Sequence, residues 1–166
     1  MVTFNIAYTS PINKGDAKPV LTRAQVWEGL KIKVRQVQDF IPAISKCEVL
    51  SEETLPTGEL RVTRELQFLP SQTHKNGGST KEVCVHHAPC RIVFHQEDGT
   101  TITSVISTRP DGEPLLSDIF EWRHPDVPEG SEAASQLEAD HWKMAKMSVE
   151  SSIDTIRRMV SDGRIQ

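Results

Sequence analysis

Hydrophobic and polar residues alternate along the first ten positions of the chain. Val2, Phe4 and Ile6 fall on one side of this pattern, with polar or small residues between them. A period of two is typical of a β-strand with one buried face. We therefore predict a first strand over residues 2–10, ended by Pro11.

The next segment has the spacing of an amphipathic helix. From Arg23 to Phe40 apolar residues recur every three or four positions, and the preceding Thr22 is a good N-cap. Pro42 is expected to close the segment. The residues assigned to the exposed face of this helix are Lys31, Lys33, Arg35 and Gln36.

From Ser45 onward the period returns to two. Six further strands are predicted around Cys47–Val49, Leu60–Phe68, Val83–Val85, Ile92–Phe94, Ile102–Ile106 and Leu116–Trp122. Turn residues separate them, which favours an antiparallel meander over alternating βαβ units. The polar, Gly-rich stretch Pro70–Thr80 is predicted to be a flexible loop.

A long helix is predicted at the end of the chain. Ser131 caps it, and it runs from Glu132 to about Val160, or roughly 40 Å at 1.5 Å per residue. Asp162-Gly163 ends it. Its apolar stripe is formed by Leu137, Trp142, Ala145, Val149, Ile153, Ile156 and Val160.

The order strand, helix, six strands and long helix predicts an α+β fold in one domain, residues 1–166. A seven-stranded antiparallel sheet has one hydrophobic face, and a long helix with one apolar stripe can cover it. If the sheet is strongly curved, it contacts the helix at its ends and sides. A central cavity is then expected between them.

Composition and charge narrow the classes of function. The apolar share of 37% is low enough to suggest an interior that is partly polar or empty. A net charge of −4 without basic runs argues against nucleic-acid binding. No transmembrane segment or signal peptide is recognised, so we expect a cytoplasmic protein with Cys47, Cys84 and Cys90 reduced.

Two charged residues fall on faces that should be buried. Arg64 lies among Val62 and Leu66 on its strand, and Asp118 shares a face with Phe120. Asp118 is our candidate for moving a proton, and Arg64 for stabilising a substrate oxyanion. The structural alternatives are a buried ion pair between the two, or strand-end positions that reach water. Under the functional reading, Arg64→Met abolishes turnover and leaves the melting temperature nearly intact.

His141 is the third candidate catalytic residue. It borders the apolar stripe of the last helix, and imidazole transfers protons near neutral pH. A half-exposed structural histidine is the alternative. The residues expected to bind an apolar ligand are Leu66, Phe68, Phe94, Phe120, Trp122 and Trp142.

Other polar residues are assigned no role in the cavity. Glu121 and Arg123 should face outward in a cross-strand salt bridge; if the register is shifted by one, they line the cavity instead of Asp118. His86, His87 and His95 cannot be placed, although a solvent-exposed strand end is favoured for His87. No metal site or organic cofactor is expected, because no CxxC, HxxxH, HExxH, GxGxxG or P-loop pattern occurs.

Several segments match the pattern of a known family, namely Tyr8–Asn13, Leu21–Arg23, Val26–Leu30, Val62–Glu65, Phe120–Pro125 and Lys143–Met147, and Phe-Glu-Trp-Arg-His-Pro is the most specific of them. They resemble the AtaL-like group of the START and Bet v 1-like helix-grip superfamily. The resemblance implies the helix-grip fold. It also implies an accessory role in secondary metabolism, within a superfamily of carriers, cyclases and ligand-binding proteins.

Three functions remain open from the sequence, and the first is favoured because of Arg64 and the resemblance. The first is a cofactor-independent enzyme that cyclises, condenses or isomerises an apolar natural-product intermediate. The second is a carrier for a hydrophobic metabolite or lipid, and the third is a partner protein with a closed core. The expected partner is a small hydrophobic or aromatic metabolite. The protein itself is expected to be a monomer or a homodimer.

Overall fold

The structure is a computed structural model that describes residues 1–70 and 77–166. The elements in these residues are β1 (Val2–Pro11), α1 (Arg23–Arg35), a 3-10 helix (Val37–Asp39), β2 (Ile44–Thr54), β3 (Leu60–Phe68), β4 (Gly78–His87), β5 (Arg91–Gln96), β6 (Thr101–Thr108), β7 (Pro114–His124) and α2 (Glu132–Ser161). The predicted order of strands and long helices is confirmed.

The strands form one antiparallel sheet in the order β1-β7-β6-β5-β4-β3-β2. Only β1 leaves its place in the chain order, because it pairs with the last strand. The pairing of β2 with β3 shifts register twice, between Ile44 and Lys46 and between Val49 and Ser51. Such irregularities bend a strand and increase its twist, so they curve this end of the sheet.

Helix α1 begins as predicted but ends earlier. The Thr22 hydroxyl accepts a hydrogen bond from the Gln25 N–H, and the Gln25 side chain accepts one from the Thr22 N–H. This reciprocal capping box satisfies two backbone donors. The prediction of a helix up to Phe40 is wrong, because Gln36 leaves the helical conformation at φ −137° and the chain continues as a 3-10 turn.

Helix α2 matches its predicted length closely. The Ser131 hydroxyl accepts a hydrogen bond from the Ala134 N–H and caps its first turn. The helix packs on β1 and β7 and against α1. The Tyr8 hydroxyl donates a 2.8 Å hydrogen bond to Glu150, which ties β1 to the middle of the helix. No helix among the described residues has the length and apolar character needed to cross a bilayer.

Strand β4 differs from the sequence interpretation in where it begins and in which residues form its inward face. The predicted loop Pro70–Thr80 is too long, since β4 begins at Gly78, and residues 71–76 lie outside the described part of the chain. The inward face of β4 carries a glutamate, a cysteine and a histidine. Val83 and Val85, which mark this strand in the sequence, face outward and are half-buried.

The packing of α1 on α2 leaves no room for a side chain at Gly29. A Cβ there would collide with the side chain of Ile156. Gly→Ala in a helix normally stabilises by about 1 kcal/mol. We expect the collision to reverse the sign, so that Gly29→Ala lowers the free energy of unfolding by about 1–3 kcal/mol in urea titrations. Adding Ile156→Ala should remove most of this penalty, and a more stable single variant would contradict the packing.

Candidate functional site

A cavity of about 770 Å³ lies between the inner face of the sheet and the helices. Strands β3 to β7 supply its floor, and α1 and α2 close it from above. Five residues predicted to contact a ligand line this cavity, namely Leu66, Phe68, Phe94, Phe120 and Trp122. The volume is typical of a site for a small organic molecule.

The predicted lining of the cavity is wrong at Trp142. Its side chain is 47% exposed and lies outside the cavity wall. The buried stripe of α2 passes through His141 instead, because His141, Ala145 and Ser148 are spaced four and three residues apart. One position along a helix is a rotation of about 100°. The expectation that Trp142 contacts a ligand is therefore wrong.

Arg64 lies at the cavity wall but is held by protein groups. Its Nε and Nη2 donate to Glu82 Oε2 at 2.8 and 2.5 Å. Its Nη1 donates to the carbonyl oxygens of Lys33 and Val34 at 3.0 and 2.7 Å. These carbonyls belong to the last turn of α1, which a cation stabilises. Four of the five guanidinium N–H groups are thus used within the protein.

Asp118 is the centre of a second polar group. Its Oδ1 accepts a 2.6 Å hydrogen bond from Ser104, and its Oδ2 accepts a 2.8 Å bond from Ser148. The Nζ of Lys33 lies 3.9 Å from Oδ2. Asp118 is only 1% exposed although it lines the cavity. The alternative of an ion pair between Arg64 and Asp118 is wrong, because each has a different partner.

The sequence interpretation missed two of these charged residues. Lys33 was assigned to the exposed face of α1, yet it is 6% exposed. Its spacing after Val26 and Leu30 is that of the buried stripe, so the pattern contained the signal. Glu82 shares the inward face of β4 with Cys84. This face was not recognised, because the two valines that mark the strand in the sequence face outward.

His141 lies in an aromatic stack at one end of the cavity. Its ring stacks on that of Trp122 with 4.0 Å between the ring centroids, and the rings of Trp122 and Phe120 stack with 4.3 Å between theirs. His141 Nε2 is 2.8 Å from His124 Nε2, so one ring donates a hydrogen bond to the other. His141 Nδ1 is buried without a partner among the described residues. Burial, reinforced by His124, lowers the pKa of His141 to about 4.

Of the remaining polar candidates, Arg123 lines the cavity and the others lie outside it. His86 is buried against Trp27, and burial lowers its pKa. His87 is 3.7 Å from Glu59, and His95 is exposed. The outward pair of Glu121 and Arg123 forms along β7, not across strands as predicted. In residues 1–70 and 77–166 no group of three acidic, histidine or cysteine residues is arranged to hold a metal ion, and all three cysteines are free.

The sequence profile of the AtaL family, described as Acetylaranotin biosynthesis cluster protein L, matches residues 6–163. This chain belongs to the AtaL family. A member from Aspergillus terreus, Acetylaranotin biosynthesis cluster protein L, is 29% identical over 164 residues, which cover 99% of this chain and 94% of that one. The resemblance inferred from the sequence segments is confirmed.

Solved structures of the same fold include two proteins that are named as aromatase/cyclase or ARO/CYC. The Zhui aromatase/cyclase from Streptomyces sp. R1128 superposes with a TM-score of 0.70 at 14% identity, covering 96% of each chain. The di-domain ARO/CYC StfQ from the steffimycin biosynthetic pathway gives 0.64 at 12% identity, over 98% of this chain and 52% of that one. At such identity the likeness establishes the helix-grip fold alone.

The pairing of Arg64 changes the expected effect of removing it. Arg64→Met leaves the Glu82 carboxylate buried without its cation, which costs about 3–5 kcal/mol. We therefore expect a large loss of stability in urea titrations, in place of the intact fold anticipated from the sequence. Arg64→Met with Glu82→Gln should recover about 2 kcal/mol, because no unpaired charge remains. A cost below about 1 kcal/mol for the single variant would contradict a structural role.

The neutral, buried imidazole of His141 predicts a pH dependence of stability. Its pKa is about 4 in the folded chain and has the ordinary value of 6.5 when unfolded. Between these values the unfolded chain binds a proton that the folded chain does not. The free energy of unfolding therefore falls as the pH drops from 6.5 towards 4, by up to about 1.4 kcal/mol per pH unit.

His141→Gln tests this dependence, because an amide can still bond to His124 but does not titrate. We expect urea titrations between these pH values to show a shallower slope for this variant than for the wild type. His95→Gln, at an exposed position, should keep the wild-type slope. Since His86 titrates in all three proteins, the difference isolates His141. Equal slopes in all three would contradict the assignment.

Proposed function

We propose that this AtaL-family protein is an enzyme of secondary-metabolite biosynthesis that uses its own side chains, without a metal or organic cofactor. Its substrate is an apolar natural-product intermediate that occupies the cavity. The reaction is a cyclisation, condensation or isomerisation, in which the walls hold the substrate in a reactive conformation.

The observation that carries this proposal is the presence of ionisable side chains inside an apolar cavity. Lys33 and Asp118 are both at least nine-tenths buried and both line the space. Burying a charge costs free energy, and a site that only binds a hydrocarbon gains nothing from that cost. Buried acid–base groups in a cleft are the usual arrangement for proton transfer.

The proposed roles follow from the contacts. Asp118 transfers a proton to or from the substrate, because two serine hydroxyls orient its carboxylate. His141 is a second proton-transfer group, and its stack with Trp122 provides a flat wall for an unsaturated substrate. Arg64 positions the site instead of binding an oxyanion, since most of its donors are taken.

The comparisons support the biosynthetic setting. The Aspergillus terreus relative is named for a biosynthesis cluster. Zhui and StfQ, which share the fold, are named as aromatase/cyclases. Neither likeness identifies a reaction, but both agree with a metabolite as the ligand of the cavity.

The test is to delete the gene in the source organism and to complement it with variants, followed by mass spectrometry of the metabolites. The deletion strain should accumulate an unconverted intermediate, and the wild type should restore the product. Asp118→Asn should lower product formation by at least about 100-fold, because it removes the proton-transfer group. Ile102→Trp should abolish it by filling the cavity.

Ile119→Thr is the matched control, because Ile119 neighbours Asp118 on β7 but faces outward at 48% exposure. It should complement like the wild type. If Asp118→Asn also restores the product while Ile102→Trp does not, the protein is a carrier and not an enzyme. An unchanged metabolite profile in the deletion strain would contradict both functions.

A further inference from the structure

Lys33 and Arg64 are both buried basic residues that line the cavity, and the amine of Lys33 is the less constrained of the two. Its one hydrogen bond among the described residues, to the Ser148 hydroxyl, is long at 3.4 Å. The carboxylate of Asp118 lies at 3.9 Å, beyond hydrogen-bond distance. An ammonium has three N–H groups to satisfy, so the protein leaves most of its bonding capacity for something in the cavity.

The surroundings of Lys33 make its ammonium easier to deprotonate than that of an exposed lysine. Burial lowers its pKa; Asp118 opposes this effect, Arg64 adds to it, and Glu82 opposes it. Arg64 is itself neutralised by Glu82 at hydrogen-bond distance. Lysine is the cationic residue that loses its proton readily when buried, and a neutral lysine is a nucleophile towards carbonyl groups.

We propose that Lys33 Nζ condenses with a ketone or aldehyde carbonyl of the substrate to form a covalent iminium intermediate. This inference rests on the proposed enzymatic function and assigns its substrate class, an apolar carbonyl compound with a hydrogen on the adjacent carbon. The iminium makes that hydrogen acidic, so its loss gives an enamine that can form a carbon–carbon bond.

The condensation balances without an oxidant or a reductant. The nitrogen lone pair attacks the carbonyl carbon, and the oxygen takes up a proton released by that nitrogen to give a neutral carbinolamine. The carbon–oxygen bond then breaks, and the oxygen leaves as water with a second proton. The positive charge of the original ammonium ends on the iminium nitrogen. Hydrolysis after the reaction reverses these steps and returns the free lysine.

A path for the proton that leaves the ammonium is present in the structure. Ser148 Oγ lies 3.4 Å from Lys33 Nζ and donates at 2.8 Å to Asp118 Oδ2. A proton that leaves the ammonium can pass to the serine oxygen while the serine proton passes to the carboxylate. This transfer converts a buried cation and a buried anion into two neutral groups. Asp118 then holds the proton that the departing water needs.

Pentane-2,4-dione is a suitable probe, because it is small and condenses with a neutral amine to give a stable enaminone and water. We expect the folded wild-type protein to form this adduct at Lys33, detected by ultraviolet absorbance and located by peptide mass spectrometry. Its rate should exceed that at the exposed Lys143 by at least about tenfold. Equal labelling of the two lysines, or none at Lys33, overturns the proposal.

Two variants complete the test. Lys33→Arg keeps a cation but cannot form an imine, so it should lose both the adduct and the product in the complemented strain. Ile102→Trp should slow labelling at Lys33 and leave Lys143 unchanged. Product formation by Lys33→Arg would overturn the covalent step and leave the enzyme proposal standing. The enzyme proposal fails separately if the deletion strain has an unchanged metabolite profile.

Discussion

The ion pair of Arg64 with Glu82 determines where α1 lies on the sheet. A guanidinium at 3% exposure requires partners for its N–H groups, and Glu82 on the neighbouring strand satisfies one side of it. The other side donates to the carbonyl oxygens at the end of α1, at Lys33 and Val34. The last turn of the helix is thereby held at the cavity wall. The position of the Lys33 side chain depends on this attachment.

Arg64 and Lys33 are both buried basic residues, but their contacts differ. Arg64 and Glu82 are joined at hydrogen-bond distance, which leaves a rigid and nearly neutral unit. Lys33 and Asp118 are separated by 3.9 Å with a serine hydroxyl near both. A tight pair, in which two guanidinium N–H groups donate to one carboxylate oxygen, suits a structural role, whereas a separated pair with a bridging hydroxyl can exchange a proton. The difference lies in geometry and not in the residue types.

Periodicity predicted the strands, the long helix and the inward faces of β3 and β7, because those segments have unambiguous apolar positions. It failed where charge was equated with exposure, as at Lys33, whose spacing after Leu30 already placed it inside. It failed at Trp142 for the opposite reason, since a large apolar side chain was equated with burial. The Glu82 partner could not be predicted, because it depends on the register of β3 against β4.

The charged groups also help to explain why the cavity stays open. Helix α2 packs on β1 and β7 at one edge of the sheet, and the curved central strands continue beneath it. Closing the space with apolar side chains would bring Lys33 and Asp118 into contact with hydrocarbon and would remove the remaining access of the amine to polar molecules. That loss opposes the gain from hydrophobic contact. A substrate with a carbonyl group relieves both constraints, because it fills the apolar volume and supplies the amine with a partner.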